Sequence, residues 1–199
     1  MKPSLRRVWQ WVRWPLFILG GAYVAVVLYR VWAIGEEEKT QQAVERIHAQ
    51  KITLADVTGD NLPPPPNKQE NDATVEGVDV NNNGVRDDVE LAIFEKYPDS
   101  PRVRAAQLQY AMALQMELTE VFNSETWKAA VWQEARGYFC LDSVLEEDLF
   151  LSSVGENSNL MLNTVSRQQQ RDEIFNKYSK SNANPFDDYC DINPASLPD

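Results

Sequence analysis

The sequence predicts an all-α protein, with a single N-terminal transmembrane helix followed by a small helical domain outside the cytoplasm. Three observations indicate this fold class. Residues 14–34 form a long apolar run that carries one charge. Beyond residue 87, apolar residues recur at the three-to-four spacing that is typical of amphipathic helices. The sequence contains neither the apolar–polar alternation of a half-buried strand nor an Asn-Gly hairpin between β-branched runs.

The apolar run has the length and the flanking residues of a membrane anchor. At about 1.5 Å per residue it reaches about 30 Å, the thickness of the hydrocarbon core of a bilayer. Its one charged residue, Arg30, lies near the far end and can extend its guanidinium to the interface. Aromatic residues that favour the membrane–water boundary occur at both ends, namely Trp9, Trp11, Trp14, Tyr29 and Trp32.

Charged residues on the two sides of the run predict its orientation. The basic residues before it are Lys2, Arg6, Arg7 and Arg13, and the acidic residues after it are Glu36, Glu37 and Glu38. By the positive-inside rule, residues 1–13 lie in the cytoplasm and residues 35–199 lie outside it.

Two alternatives to a retained anchor stay open. The run could be the apolar part of a cleaved signal peptide, although no small-x-small cleavage site follows it. The Arg6-Arg7 pair could belong to a twin-arginine export signal instead of the charge anchor of a membrane span.

The charge of the chain limits its partners. No acidic residue precedes Glu36 and five basic residues do, so the net charge of −11 becomes −16 for the part after the span. A nucleic-acid partner is excluded on this ground, because DNA and RNA binders need a basic face. Docking on an anionic lipid surface is disfavoured for the same reason, whereas cation binding suits an acidic domain.

The first exported segments precede the main domain. Residues 35–51 are predicted to be a juxtamembrane helix that continues the span, with Ala43, Val44 and Ile47 at helical spacing. Residues 52–73 are predicted to be a proline-rich linker. Its four prolines, residues 63–66, and the polar run to Asp72 are expected not to be helical.

Residues 74–199 are predicted to form one helical domain with its own core. A first helix is expected from Asp87 to Lys96, ending before Pro98. Ser100 is expected to cap a second helix over residues 102–122, with Pro101 at its first position. The remaining expectations are a third helix over residues 125–151 capped by Asn123 or Ser124, and a fourth over residues 160–178 capped by Ser158 or Asn159.

Residues 79–90 carry the most specific motif of the chain. Calcium prefers six to eight oxygen ligands, and this stretch offers them at the spacing of a twelve-residue calcium loop. The expected ligands are the side chains of Asp79, Asn81, Asn83, Asp87 and Glu90 and the backbone carbonyl of Val85. Gly84 occupies the sixth position, where the chain must turn sharply. The alternative interpretation is an ordinary turn, since Asp, Asn and Gly dominate turns.

The loop resembles the EF-hand calcium loop, and its layout is similar to that of dockerins, because no helix is expected to enter it directly. This resemblance covers about a dozen residues and implies a Ca²⁺ ligand set. The overall layout resembles that of uncharacterised bacterial inner-membrane proteins that face the periplasm. It implies a single-pass protein of the inner membrane, integral to it through residues 14–34, with its C-terminal domain in the periplasm.

The two cysteines are predicted to form a disulfide. Cys140 and Cys190 are an even count in an exported domain, where thiols are oxidised. The bond would close a loop of about 50 residues and stabilise the fold by about 4 kcal/mol in the chain-entropy model. It would also hold the tail at residues 184–190. Two free thiols are the alternative.

No catalytic motif is evident in the sequence. The only histidine is His48, so a histidine-based zinc site or a catalytic triad is not expected. Acidic groups at residues 146–148 and 187–188 could form a carboxylate pair, but they are more simply solvated surface. An aromatic stretch at residues 127–139 is expected to pack in the core, with an exposed binding face as the alternative.

We therefore expect a calcium-stabilised, non-enzymatic interaction module, held at the membrane and bound to a protein partner in the membrane or the periplasm. A periplasmic hydrolase that uses paired carboxylates is the alternative.

Overall fold

The computed structural model describes residues 5–179 and 189–198, with side chains from residue 14 onwards. The described residues form α-helices and one 3-10 helix, Pro194–Ser196, without a strand. The α-helices are α1 Leu5–Ala49, α2 Leu54–Thr58, α3 Lys68–Asn71, α4 Asp87–Lys96, α5 Pro101–Thr119, α6 Ser124–Val144, α7 Glu147–Met161 and α8 Val165–Tyr178. The predicted all-α class is confirmed for these residues.

The chain divides into two compact units, Met1–Gln42 and Ala43–Asp199. The described part of the first unit is a single helix, and its large apolar side chains from Trp14 to Ile34 are exposed. From Trp14 onwards, α1 is long enough and apolar enough to cross a membrane, with a mean hydropathy of 1.8 in its most apolar window. The predicted apolar helix is confirmed, and it forms part of α1, which ends at Ala49.

The second unit is built around α5, which contacts α2, α4, α6, α7 and α8. Fifteen consecutive residues of α5, from Arg104 to Leu118, are buried. Gly137 of α6 lets this neighbour approach closely, because a Cβ there would lie 2.8 Å from the Cα of Tyr110. The close contact of α6 with α5 therefore requires glycine at this position, because glycine has no side chain.

Several helix ends follow the sequence signals. Helix α4 spans Asp87–Lys96 as predicted and ends before Pro98. Ser100 caps α5, its hydroxyl accepting from Val103 N, with Pro101 in the first turn. Asn123 caps α6 with its side chain, as one of the two expected residues.

The third and fourth predicted helices need correction. Leu145 and Glu146 adopt extended backbone angles, so the predicted helix over residues 125–151 is two helices, α6 and α7. Ser158 and Asn159 lie inside α7, and Thr164 caps α8 instead. The break carries no proline or glycine. It allows α7 to turn back along α5 and α6 and to bury Phe150 against Tyr138, with ring centroids 4.8 Å apart.

Residues 52–73 contain more structure than a linker requires. Thr53 starts α2 with a capping box to Asp56, and Val57 is fully buried. The expectation that residues 63–72 are not helical is wrong for α3, which Asn67 caps with its side chain. Asn71, which is also buried, accepts a hydrogen bond from Val78 N at 3.0 Å.

The predicted disulfide is confirmed, since Cys140 and Cys190 lie at bonding distance with Cα atoms 5.0 Å apart. Polar contacts hold the same tail against the core. Gln109 donates to Tyr189 O at 2.6 Å and accepts from Asp191 N at 2.8 Å. The expected tail at residues 184–188 lies outside the described residues.

Candidate metal centre

The 79–90 loop turns back on itself before α4. Asn82 and Gly84 both have positive φ, of 56° and 85°, in the left-handed region that favours asparagine and glycine. Close packing also favours glycine at position 84, because a Cβ there would overlap the Gln50 side chain and lie 3.3 Å from Met112 Cγ. The sequence signal for a sharp turn at the sixth loop position therefore agrees with the local backbone.

Backbone N–H groups of the turn donate to the polar side chains at its start. Asp79 accepts from Asn83 N at 3.2 Å and from Gly84 N at 2.9 Å. The Oδ1 of Asn81 accepts from Asn83 N at 3.2 Å, and that of Asn83 from Val85 N at 2.8 Å. These bonds fix the side chains of loop positions one, three and five on the inner side of one turn.

The two carboxylates that follow lie on the first turn of α4 and are fully buried. Asp87 Oδ1 accepts from Val80 N at 3.0 Å, and Glu90 Oε2 accepts from Asn81 Nδ2 at 3.0 Å. The second oxygen of each group, Asp87 Oδ2 and Glu90 Oε1, is buried without a hydrogen-bond partner. Buried acceptors without a donor are rare in folded proteins, because the lost hydration costs about 1–3 kcal/mol for each group.

Burial shifts the pKa values of the carboxyl groups of the loop. Burial raises the pKa of Glu90 to about 7, although the hydrogen bond from Asn81 Nδ2 favours its ionised form. Burial also raises the pKa of Asp79 and of Asp87. Burial thus disfavours the ionised forms of all three carboxyl groups, of which Asp79 is half-buried.

The residue types fit a hard cation. The predicted ligands supply side-chain oxygens from three carboxylates and two amides, and the Val85 carbonyl lies on the loop while its side chain is buried in the core. In the described part of the chain, however, no three His, Cys, Asp or Glu groups lie in an arrangement that could hold a metal ion. The calcium site at Asp79, Asn81, Asn83, Val85, Asp87 and Glu90 stays a prediction.

Arg86, inside the loop, connects it to α7. Its fully buried guanidinium donates to the carbonyls of Leu160 at 2.7 Å and Met161 at 3.3 Å, and it pairs with Asp88. These carbonyls end α7, where no further helical N–H can reach them. No local pattern in the sequence predicts this contact, since the two partners lie about 75 residues apart.

The other candidate functional residues of the sequence pack against neighbouring side chains or lie at the surface. His48 stacks on Trp132, and burial lowers its pKa. Residues 146–148 are exposed at the N-terminus of α7, where acidic side chains are favoured by the helix dipole. Within the aromatic stretch, Trp127 is buried and Phe139 is 45% exposed. Asp187 and Asp188 lie outside the described residues.

A second cluster of acidic groups was not predicted from the sequence. Glu117 of α5 is fully buried, and Arg171 Nε of α8 lies 2.9 Å from its Oε2. Burial, together with the neighbouring Glu134 of α6, raises the pKa of Glu117 well above its usual range. The only signal in the sequence was a charged residue on the apolar side of a helix pattern.

No protein family, curated protein or solved structure matches this chain.

Proposed function

We propose that this protein is a single-pass membrane protein whose helical domain is a calcium-stabilised, non-enzymatic interaction module. The N-terminus lies in the cytoplasm and the domain lies in the periplasm, on the outer side of a bacterial inner membrane. The charge difference across the apolar helix supports this orientation. The disulfide supports an oxidising compartment.

The observation that carries the metal proposal is the pair of buried, unpartnered oxygens, Asp87 Oδ2 and Glu90 Oε1, beside the Asx-rich turn. A cation would supply the missing partner for both. Ca²⁺ suits the ligand set better than Zn²⁺, because every predicted ligand is an oxygen.

The affinity is expected to be low, because only three of the six predicted ligands carry charge. Extracellular calcium modules bind with dissociation constants of about 10⁻⁴ to 10⁻³ M. At ten times the dissociation constant, the ion adds about 1.4 kcal/mol to the free energy of unfolding. Calcium therefore acts as a local stabiliser of the loop and of the start of α4, while the core around α5 drives folding.

Calorimetric titration of the full chain in nanodiscs tests the metal proposal. Calcium at several millimolar is expected to bind and to raise the melting temperature of the wild type, and neither effect is expected for Glu90→Gln. Glu95→Gln, an exposed change on the same helix, is the matched control and is expected to bind calcium normally. Neither heat nor a melting shift in the wild type would show that the loop is an ordinary turn.

The partner of the module is proposed to be a protein in the membrane or the periplasm. The acidic charge of the domain argues against nucleic acid. Affinity purification from solubilised membranes, with and without chelator, is the test. A partner recovered equally from the wild type and from a chain whose domain has been exchanged would contradict the proposal.

A periplasmic hydrolase is the second candidate, and the Glu117–Glu134 pair is the observation that favours it. Two carboxyl groups that share a proton can act as acid and base. Glu117 is fully buried, however, so a substrate would have to displace core side chains to reach it. Turnover of ester, peptide or glycoside test substrates that is lost in Glu134→Gln would favour the hydrolase over the interaction module.

A further inference from the structure

Residues of α5, α6, α7 and α8 line a cavity of about 330 Å³ that is open to solvent on one side. This volume lies at the lower end of the range for small-molecule sites, about 300–1,000 Å³. Most of its wall is apolar, and the side chains that form this part are Leu114, Leu118, Met161, Leu162 and Phe175. The cavity can therefore hold a compact apolar group.

The remaining wall is polar and rich in carboxylates. Glu134 comes from α6, and Arg171 and Asp172 come from α8, while Ser158 of α7 adds a hydroxyl. Glu134 is half-buried and Asp172 is exposed, so the polar side extends from the interior towards the solvent. The cavity is thus amphipathic, with its charged groups on one side.

The guanidinium of Arg171 already forms an ion pair and a contact with an aromatic ring. Its Nε lies 2.9 Å from Glu117 Oε2, and its guanidinium carbon lies 5.3 Å from the Phe175 ring centroid. Glu117 is the fully buried carboxyl behind the polar wall. When Glu117 is ionised, its negative charge offsets the positive charge of Arg171, and the two negative charges of Glu134 and Asp172 remain. When Glu117 holds a proton, the three charged side chains of the wall still sum to one negative charge.

We propose that this cavity binds a small organic cation, an amine with an apolar body, whose ammonium group lies against Glu134 and Asp172 and whose body fills the apolar part. Charge complementarity selects a cation over an anion, because the wall is negative in either state of Glu117. The apolar wall selects an organic amine over a metal ion, because it offers no ligands to the rest of a coordination sphere. The proposal does not rest on metal binding by the 79–90 loop.

The test compares three probes that share one ring and differ in charge: 2-phenylethylamine, 2-phenylethanol and 3-phenylpropionate. Each is titrated by calorimetry into the full chain in nanodiscs, and empty nanodiscs correct for partitioning into lipid. The amine is expected to bind about tenfold more tightly than the alcohol, because hydrogen bonds to charged groups are the stronger ones. The carboxylate is expected to bind most weakly.

Substitutions test whether the polar wall causes the preference for the amine over the alcohol. Glu134→Gln keeps the shape of the side chain and is expected to remove the advantage of the amine over the alcohol. Asp172→Asn, an exposed change that the fold tolerates, is expected to reduce it. Glu173→Gln is the matched control, because Glu173 is an exposed neighbour on α8 that does not line the cavity. This control is expected to bind all three probes as the wild type does.

The outcomes decide the proposal in either direction. Equal affinity for the three probes overturns it, as does tighter binding of the carboxylate or the absence of saturable binding above empty nanodiscs. An amine preference that survives both Glu134→Gln and Asp172→Asn also overturns it. If melting curves show that Glu134→Gln unfolds, the Asp172→Asn result decides, and an unchanged preference there counts against the site.

Discussion

Glu90→Gln is expected to stabilise the calcium-free protein at pH 8 and to abolish its stabilisation by calcium. In the folded chain Glu90 is fully buried, and one of its oxygens lacks a partner. Glutamine has the same shape without the charge. It therefore removes the cost of burying an ionised carboxylate, and with it the charged ligand that closes the predicted metal site.

The size of the effect follows from the pKa of Glu90, which burial raises from 4.5 to about 7. One unit corresponds to about 1.4 kcal/mol, so the ionised group costs roughly 3 kcal/mol relative to a neutral one. A raised carboxyl pKa means that the folded state holds the proton more tightly than the unfolded state. The stability that this proton contributes is complete below pH 4.5 and is lost as the pH rises through about 7.

Denaturant unfolding of the full chain in nanodiscs, with chelator, measures this difference. At pH 8 the variant is expected to exceed the wild type by up to roughly 3 kcal/mol in the free energy of unfolding, and at pH 4 the two are expected to agree. With calcium at ten times its dissociation constant the wild type gains about 1.4 kcal/mol and the variant gains nothing. Glu95→Gln is expected to change neither value. A variant less stable than the wild type at pH 8 in chelator would refute the reasoning, because Glu90 would then have stabilising partners in the metal-free fold.

Three further predictions concern the disulfide, the helix packing and the topology. Replacing Cys140 and Cys190 together by serine is expected to lower the free energy of unfolding by about 4 kcal/mol, and an unchanged denaturation midpoint would contradict this. Gly137→Ala is expected to lower stability by about 1–3 kcal/mol, because the new methyl group meets the backbone of α5. Gly155→Ala, in open space on α7, is expected to raise it by about 0.5–1 kcal/mol, and equal melting shifts for the two would contradict the packing argument. A reporter enzyme that is active only outside the cytoplasm, fused after Asp199, is expected to be active, and an inactive full-length fusion would reverse the proposed orientation.

Local chemistry explains the parts of the fold that were predicted correctly. Helix α4 ends before Pro98 because the residue before a proline avoids the helical region. Ser100 and Pro101 start α5 for equally local reasons, a side-chain cap and a preset φ. The disulfide was predicted from an even cysteine count and from the expectation that the domain lies in an oxidising compartment.

The residue types of the candidate metal loop could be predicted from the sequence. The surroundings of the predicted ligands could not. The positive φ of Gly84 follows from the residue type. The burial of Asp87 and Glu90 follows from the packing of α4 against α5, and the contact of Arg86 with the end of α7 depends on a neighbour distant in sequence. Neither is encoded by the spacing of the motif.

The sequence by itself determined the apolar N-terminal helix, the helical class and the residues of the 79–90 loop, because length, periodicity and turn chemistry act over a few neighbouring residues. Tertiary structure alone decided the break at Leu145, where burial of Phe150 outweighs helix propensity without a proline or glycine to mark the position. It also brought Glu117, Glu134 and Arg171 together from three helices. Such a cluster arises from the packing of helix faces, and no local pattern in the chain carries that information.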